Sequence, residues 1–219
     1  DVYKRQDFWI IIDSKGNILA TDLESGQKLP YSLMRFAESI LQKGKPASTS
    51  EVFKIGEMNV FSTELMQQIR VAIIDNPSQK SGDYLPYTLV QMSGIPVKDM
   101  ANRTIGVLIG GRMVNNNTSI PRAYSKIVPN SYLSIGVHGI RIVANIKGPQ
   151  TLDFVGMRQS QDLIEAIQKG NRYKGSAQIE LNEIHLIAAE PIFNSAGKVV
   201  ATLSVGVPSH GLTTIQRDT

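Results

Sequence analysis

Residues 93–116 carry the stretch that decides the fold, SGIPVKDMANRTIGVLIGGRMVNN. One apolar run ends at Pro96-Val97, a polar turn follows, and a second, nearly continuous aliphatic run comes after it. Because proline lacks an N–H group, Pro96 belongs at the end of a strand or on an edge. Asp99 and Asn102 suit the turn, through local hydrogen bonding and tolerance of positive φ. The stretch therefore predicts a β-hairpin.

The same design recurs near the C-terminus, where residues 188–207 are AAEPIFNSAGKVVATLSVGV. Asn194 and Gly197 stand in its turn, as Asp99 and Asn102 do in the first hairpin. The matched pairs at an offset of 95 residues are Pro96/Pro191, Val97/Ile192, Arg103/Lys198, Ile105/Val200, Leu108/Leu203 and Gly111/Gly206. Two such hairpins, one in each half, indicate a duplication.

Composition narrows the class of protein. A length of 219 residues with an internal repeat favours two modules of about 100 residues. A hydrophobic content of 42% without biased tracts is typical of a folded chain, and there is neither an apolar run of about 18 residues nor a signal peptide. The absence of cysteine excludes disulfides and thiolate metal sites, and fits an extracytoplasmic bacterial protein. The net charge of +4 comes from scattered basic residues, which argues against nucleic-acid binding.

The first half predicts a hairpin, a helix and further strands. The predicted elements are strands at 7–13 and 18–21, a helix at 30–43, a strand at 52–55, a helix capped by Ser62 or Thr63 through Gln68, a strand-prone run at 69–75, a loop at 76–85 and a strand from 87. Trp9 is expected in the core. The opening hexamer DVYKRQ resembles an adapter-derived start, so the native protein is expected to continue upstream.

The second half repeats this order after a connector. The predicted elements are a connector helix at 121–128, a hairpin of 132–137 and 140–145 about His138-Gly139, a helix at 156–167, and strands at 173–180, 183–191 and 198–207. Strand-strand, helix and three strands describe a PAS-like antiparallel sheet flanked by helices. The predicted fold class is therefore α/β (α+β), with two tandem modules of this kind.

Catalytic motifs find little support. The three histidines stand on separate elements, without metal-ligand spacing, so no metal site or cofactor is predicted. There is no GxSxG nucleophile elbow and no cysteine nucleophile. The glycines of residues 106–111 lie inside a strand and are not followed by GK[ST], so they do not form a phosphate loop. No enzymatic activity is expected.

The chain resembles the double Cache sensor family, in particular the fusions of Cache 3 and Cache 2 regions. The resemblance runs from about residue 7 to 207, is strongest in the second half and loosest over 44–84. The segments that carry it are PVKDMANRTIGVLIGGRMVNNN, GIRIVANI, GMRQSQDLIEAIQKGNRYKGSAQI and AAEPIFNSAGKVVATLSVGV. These are diffuse patterns of Gly, Pro and aliphatic residues, so they indicate fold and role better than ligand.

The resemblance implies an extracytoplasmic, membrane-tethered sensing region of a bacterial receptor. Its output would be a histidine kinase, a chemoreceptor signalling domain or a cyclic-dinucleotide enzyme. The expected boundaries are a membrane-distal module at 7–117, a helical connector at 118–130, a membrane-proximal module at 131–208 and a link toward a transmembrane helix at 209–219. The expected partner is a small molecule, for which a carboxylate or an amino acid is one option, and a homodimer is an open alternative.

A ligand in a PAS-like module is expected between the sheet and the elements that cover one face. The candidate ligand-binding residues of the second module are Arg141, Asn145, Arg158, Tyr173 and His185. Arg141 and Arg158 could hold a carboxylate, with help from backbone amides at the start of a helix. In related citrate- and dicarboxylate-sensing Cache domains, positions resembling Ile187 and Ala189 are basic. Here they are apolar, which argues against a tricarboxylate.

Each candidate also has a structural interpretation. The two arginines could pair with Asp153 or Asp162, His185 could be a hydrogen-bonded strand residue, Tyr173 could pack, and Asn145 could satisfy a turn. In the first module the equivalent face is apolar at Val90, Met92 and Gly94, with Asn17 and Thr21 as weak candidates.

Two other functions stay open from the sequence. One is a ligand-independent spacer that mediates dimerisation, and the other, less favoured, is a secreted hydrolase.

Overall fold

The structure is a computed structural model that describes residues 6–23, 29–74, 82–146, 154–180 and 183–209. Most of the opening hexamer, the loop at 76–81, Asp153 and the link beyond residue 209 lie outside these ranges. The predictions that fall on those residues are therefore not addressed by the structure.

Within the described ranges the chain forms ten strands and four α-helices. In the first half they are β1 (Phe8–Asp13), β2 (Ile18–Thr21), α1 (Tyr31–Lys43), β3 (Ala47–Lys54), α2 (Thr63–Gln68), β4 (Tyr87–Lys98) and β5 (Thr104–Met113), with a 3₁₀ turn at Ile55–Glu57. In the second half they are α3 (Ser119–Ile127), β6 (Tyr132–Val137), β7 (Ile140–Ala144), α4 (Gln161–Gln168), β8 (Tyr173–Glu180), β9 (Glu183–Phe193) and β10 (Val199–Pro208).

Two five-stranded sheets share one topology. The strand order is β2-β1-β5-β4-β3 in the first sheet and β7-β6-β10-β9-β8 in the second. The strand pairs with a described register are antiparallel in both sheets. The duplication, the α+β fold class and the two PAS-like modules predicted from the sequence are confirmed.

The chain divides into two compact units. Unit 1 holds residues up to 69, 86–114 and 193–198, and unit 2 holds 70–85, 115–192 and the residues from 199 onward. The segment 70–85, expected in the first module, thus belongs to unit 2. In this segment Ile74 forms a parallel bridge to Met157, and its N–H donates to the Gly156 carbonyl at 3.0 Å. The run predicted as a strand at 69–75 therefore makes isolated bridges and no strand of its own.

One turn design closes three hairpins. The Oδ1 atom of Asp99 accepts hydrogen bonds from the N–H groups of Ala101 and Arg103, at 2.9 and 2.8 Å. Asn194 repeats this with the amides two and four residues on, at 3.0 and 2.9 Å, and Asp13 does so at 2.8 and 2.8 Å. The fourth residue of each turn has positive φ, which explains Gly16, Asn102 and Gly197 at those positions.

Unit 1 has an apolar core between its sheet and α1. Helix α1 buries the stripe Leu33, Phe36, Ala37 and Ile40 and ends at Gly44 in the left-handed conformation, as the sequence predicts. Helix α2 is capped by Ser62, whose hydroxyl oxygen accepts from the Leu65 N–H at 3.3 Å. Residue Phe8 packs edge-on against Phe61, with ring centroids 5.1 Å apart.

Unit 2 repeats the arrangement with a shorter helix. The hairpin of β6 and β7 turns at His138 and Gly139, both with positive φ, as predicted. Residues Leu163 and Ile167 of α4 pack against Ile187 and Ala189 of β9. On β9 the side chains alternate, with His185, Ile187 and Ala189 buried and the residues between them exposed, which confirms the predicted faces.

Three further predictions differ from the structure. Trp9 is 36% exposed while Phe8 and Ile10 are fully buried, so its expected core position is wrong, because strand alternation turns Trp9 outward. Strand β3 covers 47–54 and is longer than the predicted 52–55, because its polar first half pairs with β4. The helix predicted at 156–167 begins only at Gln161, because the preceding residues bridge to β7.

Candidate functional site

The inner face of the second sheet, which is covered by α4, carries buried polar side chains. In the pairing of β10 with β6, Ser204 stands opposite Ser134 and Thr202 opposite Gly136. All three polar residues are at most 5% exposed. Serine and threonine side chains on a buried sheet face are unusual, because a polar group without a partner there costs free energy.

Gln159 reaches this polar face from the segment before α4. Its side chain lies over Gly136, where an added Cβ would collide with the amide oxygen, so glycine makes the approach possible. Its Nε2 atom donates to the Ser204 hydroxyl at 3.3 Å. Its Oε1 atom is buried and has no hydrogen-bond partner, and neither does the Ser134 hydroxyl.

Two tyrosines and a histidine continue the face toward β8. The rings of Tyr132 and His185 lie with centroids 5.8 Å apart and planes tilted by 52°. Tyr132 lies over Gly206 and Tyr173 over Gly175, so each ring occupies space that a side chain on its glycine would fill. His185 is 7% exposed and its Nδ1 atom has no partner.

Electrostatics link this aromatic group to Arg141. Burial raises the pKa of Tyr132 to about 12, and the nearby positive charge of Arg141 partly opposes that rise. Burial lowers the pKa of Arg141, with the Tyr132 phenol opposing the change, but an arginine remains charged in proteins. The Nη1 atom of Arg141 donates to the Arg158 carbonyl at 2.8 Å, and its guanidinium lies 5.6 Å from the Phe154 ring centroid. Its Nε atom is buried without a partner.

Four buried polar atoms without partners thus belong to this region: Ser134 Oγ, Arg141 Nε, Gln159 Oε1 and His185 Nδ1. Among the described residues, Arg35 Nε on α1 and Thr88 Oγ1 on β4 are the two others, and both lie in unit 1. Native structures leave few such atoms, so four of them on one face mark a candidate binding site. We call the set Tyr132, Ser134, Arg141, Gln159, Tyr173, His185, Thr202 and Ser204 the polar face.

The predicted site residues divide into two groups. Arg141, Tyr173 and His185 come together around Tyr132 on the polar face. Asn145 instead closes its hairpin, since its Oδ1 accepts from the Leu133 N–H at 2.7 Å. Arg158 is exposed and supplies its carbonyl to Arg141, and it precedes the helix that was expected to begin beside it. In the described part of the chain, no ion pair joins either arginine to Asp162.

The weak candidates of the first module have local roles. Asn17 donates its side-chain amide to Asp13 at 2.9 Å, and the Thr21 hydroxyl donates to the Trp9 carbonyl at 2.8 Å. Val90, Met92 and Gly94 are buried against the unit 1 core. Core side chains therefore fill this face of the first module.

Sequence reasoning missed five members of the polar face: Tyr132, Ser134, Gln159, Thr202 and Ser204. A signal for two of them was present in the repeat. The offset of 95 residues places Ser204 on Ile109 and Thr202 on Val107, so a polar residue replaces an aliphatic one at both buried positions. Gln159 had no such signal, because its position depends on a non-helical segment.

A small cavity and an open groove lie in unit 2. The cavity, of about 70 Å³, is bounded by α4, the start of β10 and the β6–β7 turn, and it reaches the polar face at Gly136 and Thr202. The groove, of about 350 Å³, is almost wholly apolar and runs over β8, β9 and β10, where Leu186 and Ala188 are exposed.

The described ranges contain neither a cluster of metal ligands nor a membrane-spanning helix. No group of three or more His, Asp or Glu side chains there could hold a metal ion. No helix in the described part of the chain is long and apolar enough to cross a membrane.

Comparison with solved structures finds sensor domains at low identity. The ligand-binding domain of the Pseudomonas aeruginosa PAO1 amino acid chemoreceptor PctC in complex with GABA is 14% identical, with 93% of this chain and 75% of that chain covered and a TM-score of 0.42. The periplasmic domain of Vibrio cholerae LuxQ is 12% identical, with 94% of this chain and 73% of that chain covered and a TM-score of 0.40. The ligand-binding domain of the P. aeruginosa PAO1 amino acid chemoreceptor PctB in complex with L-Arg is 14% identical, with 98% of this chain and 72% of that chain covered and a TM-score of 0.38. At such scores these likenesses are loose. No curated protein matches the chain.

The family comparison gives the class. Residues 112–219 match the family model of single Cache domain 3, so the second half of this chain is similar to that family. The resemblance to Cache sensors is confirmed, although the match is to a single Cache domain and residues before 112 lie outside it. The predicted role of extracytoplasmic sensing in signal transduction is confirmed at the level of this class, and a Cache sensor domain is not itself catalytic.

Proposed function

We propose that the chain is the ligand-sensing region of a bacterial transmembrane receptor and binds its small molecule at the polar face of unit 2. The observation that carries this is the group of four buried polar atoms without partners on one side of one sheet. A bound molecule that pairs with them would gain hydrogen bonds whose protein side is already desolvated.

The contrast with a satisfied buried group supports this proposal. Glu51 in unit 1 is 2% exposed, and its carboxylate accepts hydrogen bonds from Thr49, Asn194 and Ser195 and lies 3.5 Å from Arg35. This chain therefore partners a buried carboxylate thoroughly where the group is structural. The four buried polar atoms of the polar face, in contrast, have no hydrogen-bond partner.

The wider architecture follows as part of the same proposal. The module at 7–117 is membrane-distal, 118–130 is a connector, and the module at 131–208 is membrane-proximal, with 209–219 leading toward a transmembrane helix. Ligand would favour one packing of the sensor and so shift the population that drives a kinase, chemoreceptor or cyclic-dinucleotide output. Deletion of 209–219 in the full receptor should leave binding intact and abolish the response; a retained response would reject this link.

A direct binding screen tests the site. Thermal unfolding of the 219-residue chain is followed with amino acids, carboxylates and nucleobases. A ligand at 100 times its dissociation constant stabilises the folded state by about 2.7 kcal/mol. The variant His185→Val, which copies the unit 1 residue Val90, should fold and lose this stabilisation. The control Gln91→Val, on an exposed position of β4, should keep it.

A second function, a ligand-independent spacer, is favoured for unit 1 because its inner face is filled by apolar side chains. If no compound stabilises the wild type, the spacer would hold for the whole chain. The homodimer stays a prediction, and analytical ultracentrifugation of the chain would test it. The absence of enzymatic activity is likewise a prediction, which hydrolysis assays with generic ester and peptide substrates would test.

A further inference from the structure

The charge of the polar face limits what its ligand can be. Among the described residues of this face there is one guanidinium, on Arg141, and no carboxylate. The described acids nearest in sequence, Asp162 and Glu165, are exposed on α4, and Glu190 is exposed and pairs with Arg172 at 2.9 Å. An ammonium group at the polar face would thus be desolvated beside a like charge, which is costly.

The unpaired atoms add a second condition. The Arg141 Nε atom carries an N–H and needs an acceptor, whereas Gln159 Oε1 needs a donor. The Ser134 hydroxyl can do either, and its neighbour across the ladder, Ser204, already receives the Gln159 amide. A ligand with acceptors alone would leave Gln159 unpaired, and a ligand with donors alone would leave Arg141 unpaired.

Size adds the third condition. The cavity that reaches the polar face at Gly136 and Thr202 has a volume of about 70 Å³. The two tyrosine rings over Gly175 and Gly206 already fill much of the sheet toward β8. The space suits a molecule of a few heavy atoms.

We infer that the ligand class is a short α-hydroxy acid or its amide: a carboxylate or carbonyl acceptor with an adjacent O–H or N–H donor, and no ammonium group. This rests on the proposed function and narrows it, since the broader expectation included amino acids. The acceptor end pairs with Arg141, and the donor pairs with Gln159.

Four matched probes test the inference by titration calorimetry on the 219-residue chain: lactate, lactamide, propionate and 1-amino-2-propanol. Lactate and lactamide should bind, and propionate, which lacks the donor, should bind about tenfold more weakly, as expected for one buried hydrogen bond. The cationic 1-amino-2-propanol should not bind. Equal binding of lactate and the amino alcohol, or no binding of lactate and lactamide, would overturn the inference.

Two variants link the preference to the polar face. Ser134→Ala removes an unpaired hydroxyl, so it should fold as the wild type does and weaken lactate binding severalfold. Gln159→Glu adds a carboxylate at the site and should abolish lactate binding and admit 1-amino-2-propanol. The control Gln91→Glu, exposed on unit 1, should change neither. Wild-type lactate affinity in both Ser134→Ala and Gln159→Glu would also refute the inference.

The outcome separates this inference from the proposal it rests on. Suppose an amine or a nucleobase from the broader screen binds, and His185→Val abolishes that binding. The sensing function would then stand and the ligand class would be wrong. If nothing in either panel binds, both fail.

Discussion

The inner faces of the two sheets differ in chemistry at equivalent positions. Because the strands of the two sheets pair in matching registers, each position on the inner face of one sheet has an equivalent position in the other. The inner face of unit 1 carries Phe8, Ile10, Val90, Val107 and Ile109, which are buried, and the half-buried Ala47. Their equivalents in unit 2 are, in the same order, Tyr132, Ser134, His185, Thr202, Ser204 and the half-buried Tyr173. The backbone plan is the same, while the apolar face has become polar.

The comparison of the two sheets shows which positions the fold constrains and which are free to change. Gly111 and Gly206 are kept, because each makes room for the aromatic ring opposite it, Phe8 or Tyr132. Gly106 is required because a Cβ there would lie 2.6 Å from the Ile12 carbonyl oxygen. The residues that changed are those that no backbone contact constrains. Unit 1 fills its face mainly with apolar side chains and has two buried polar atoms without partners among its described residues, whereas unit 2 has four such atoms on one face. The two units have therefore diverged into a packed module and a candidate binding module.

The largest expected effect comes from giving unit 1 the chemistry of unit 2. Ile109→Ser should destabilise the chain by about 4 kcal/mol, because it removes a fully buried aliphatic side chain and buries a hydroxyl. At the equivalent position Ser204→Ala removes the acceptor of the buried Gln159 amide and should cost about 1–2 kcal/mol. Urea unfolding measures both. A cost below about 1 kcal/mol for Ile109→Ser would contradict the view that unit 1 depends on a filled face.

The next effect concerns the pair Phe8 and Tyr132. The pKa of Tyr132 is raised from 10.0 to about 12, so the folded state holds its proton more tightly than the unfolded chain does. The stabilisation from this shift is therefore complete below pH 10 and is lost as the pH rises toward 12, by up to about 3 kcal/mol. The variant Tyr132→Phe, which copies Phe8, should lose this dependence. Urea unfolding of both proteins between pH 9 and pH 12 checks it, and parallel curves would refute it.

The smallest effect compares the turns of the two long hairpins. Hydrogen bonds from Arg103 and Ala101 lower the pKa of Asp99 below the usual aspartate value of 3.8, whereas Asn194 in the equivalent turn cannot ionise. Asp99 should therefore hold its turn above that pKa and weaken it as the pH falls through it. In NMR spectra the Ala101 and Arg103 amides should titrate with a midpoint below 3.8, and the amides of the Asn194 turn should not. A shared response in both turns would argue against this.

The sequence predicted most of the backbone because its signals are local. Alternation, turn chemistry at Asp99 and Asn194, the stripe of α1 and the repeat between the two long hairpins each lie within a few residues or at one fixed offset. The resemblance to Cache sensors rests on the same patterns. The full length of β3 and the late start of α4 were not predicted, because the polar residues there take up their conformation only by pairing with strands distant in sequence.

The candidate site was predicted only in part. Arg141, Tyr173 and His185 were identified because charged and aromatic residues in strands draw attention. Neither the spacing nor the composition of the sequence around Ser134 and Gln159 indicates a binding role for them.

The sequence by itself therefore determined the two modules and the order of their elements along the chain, since these follow from periodicity, turn residues and the repeat, while the class of sensor domain came from the family resemblance. Only the tertiary structure decided which face carries polar groups without partners. Burial and hydrogen-bond satisfaction depend on neighbours brought together from β6, β7, β9, β10 and the segment before α4. A serine in a strand becomes informative once the strand opposite it is known.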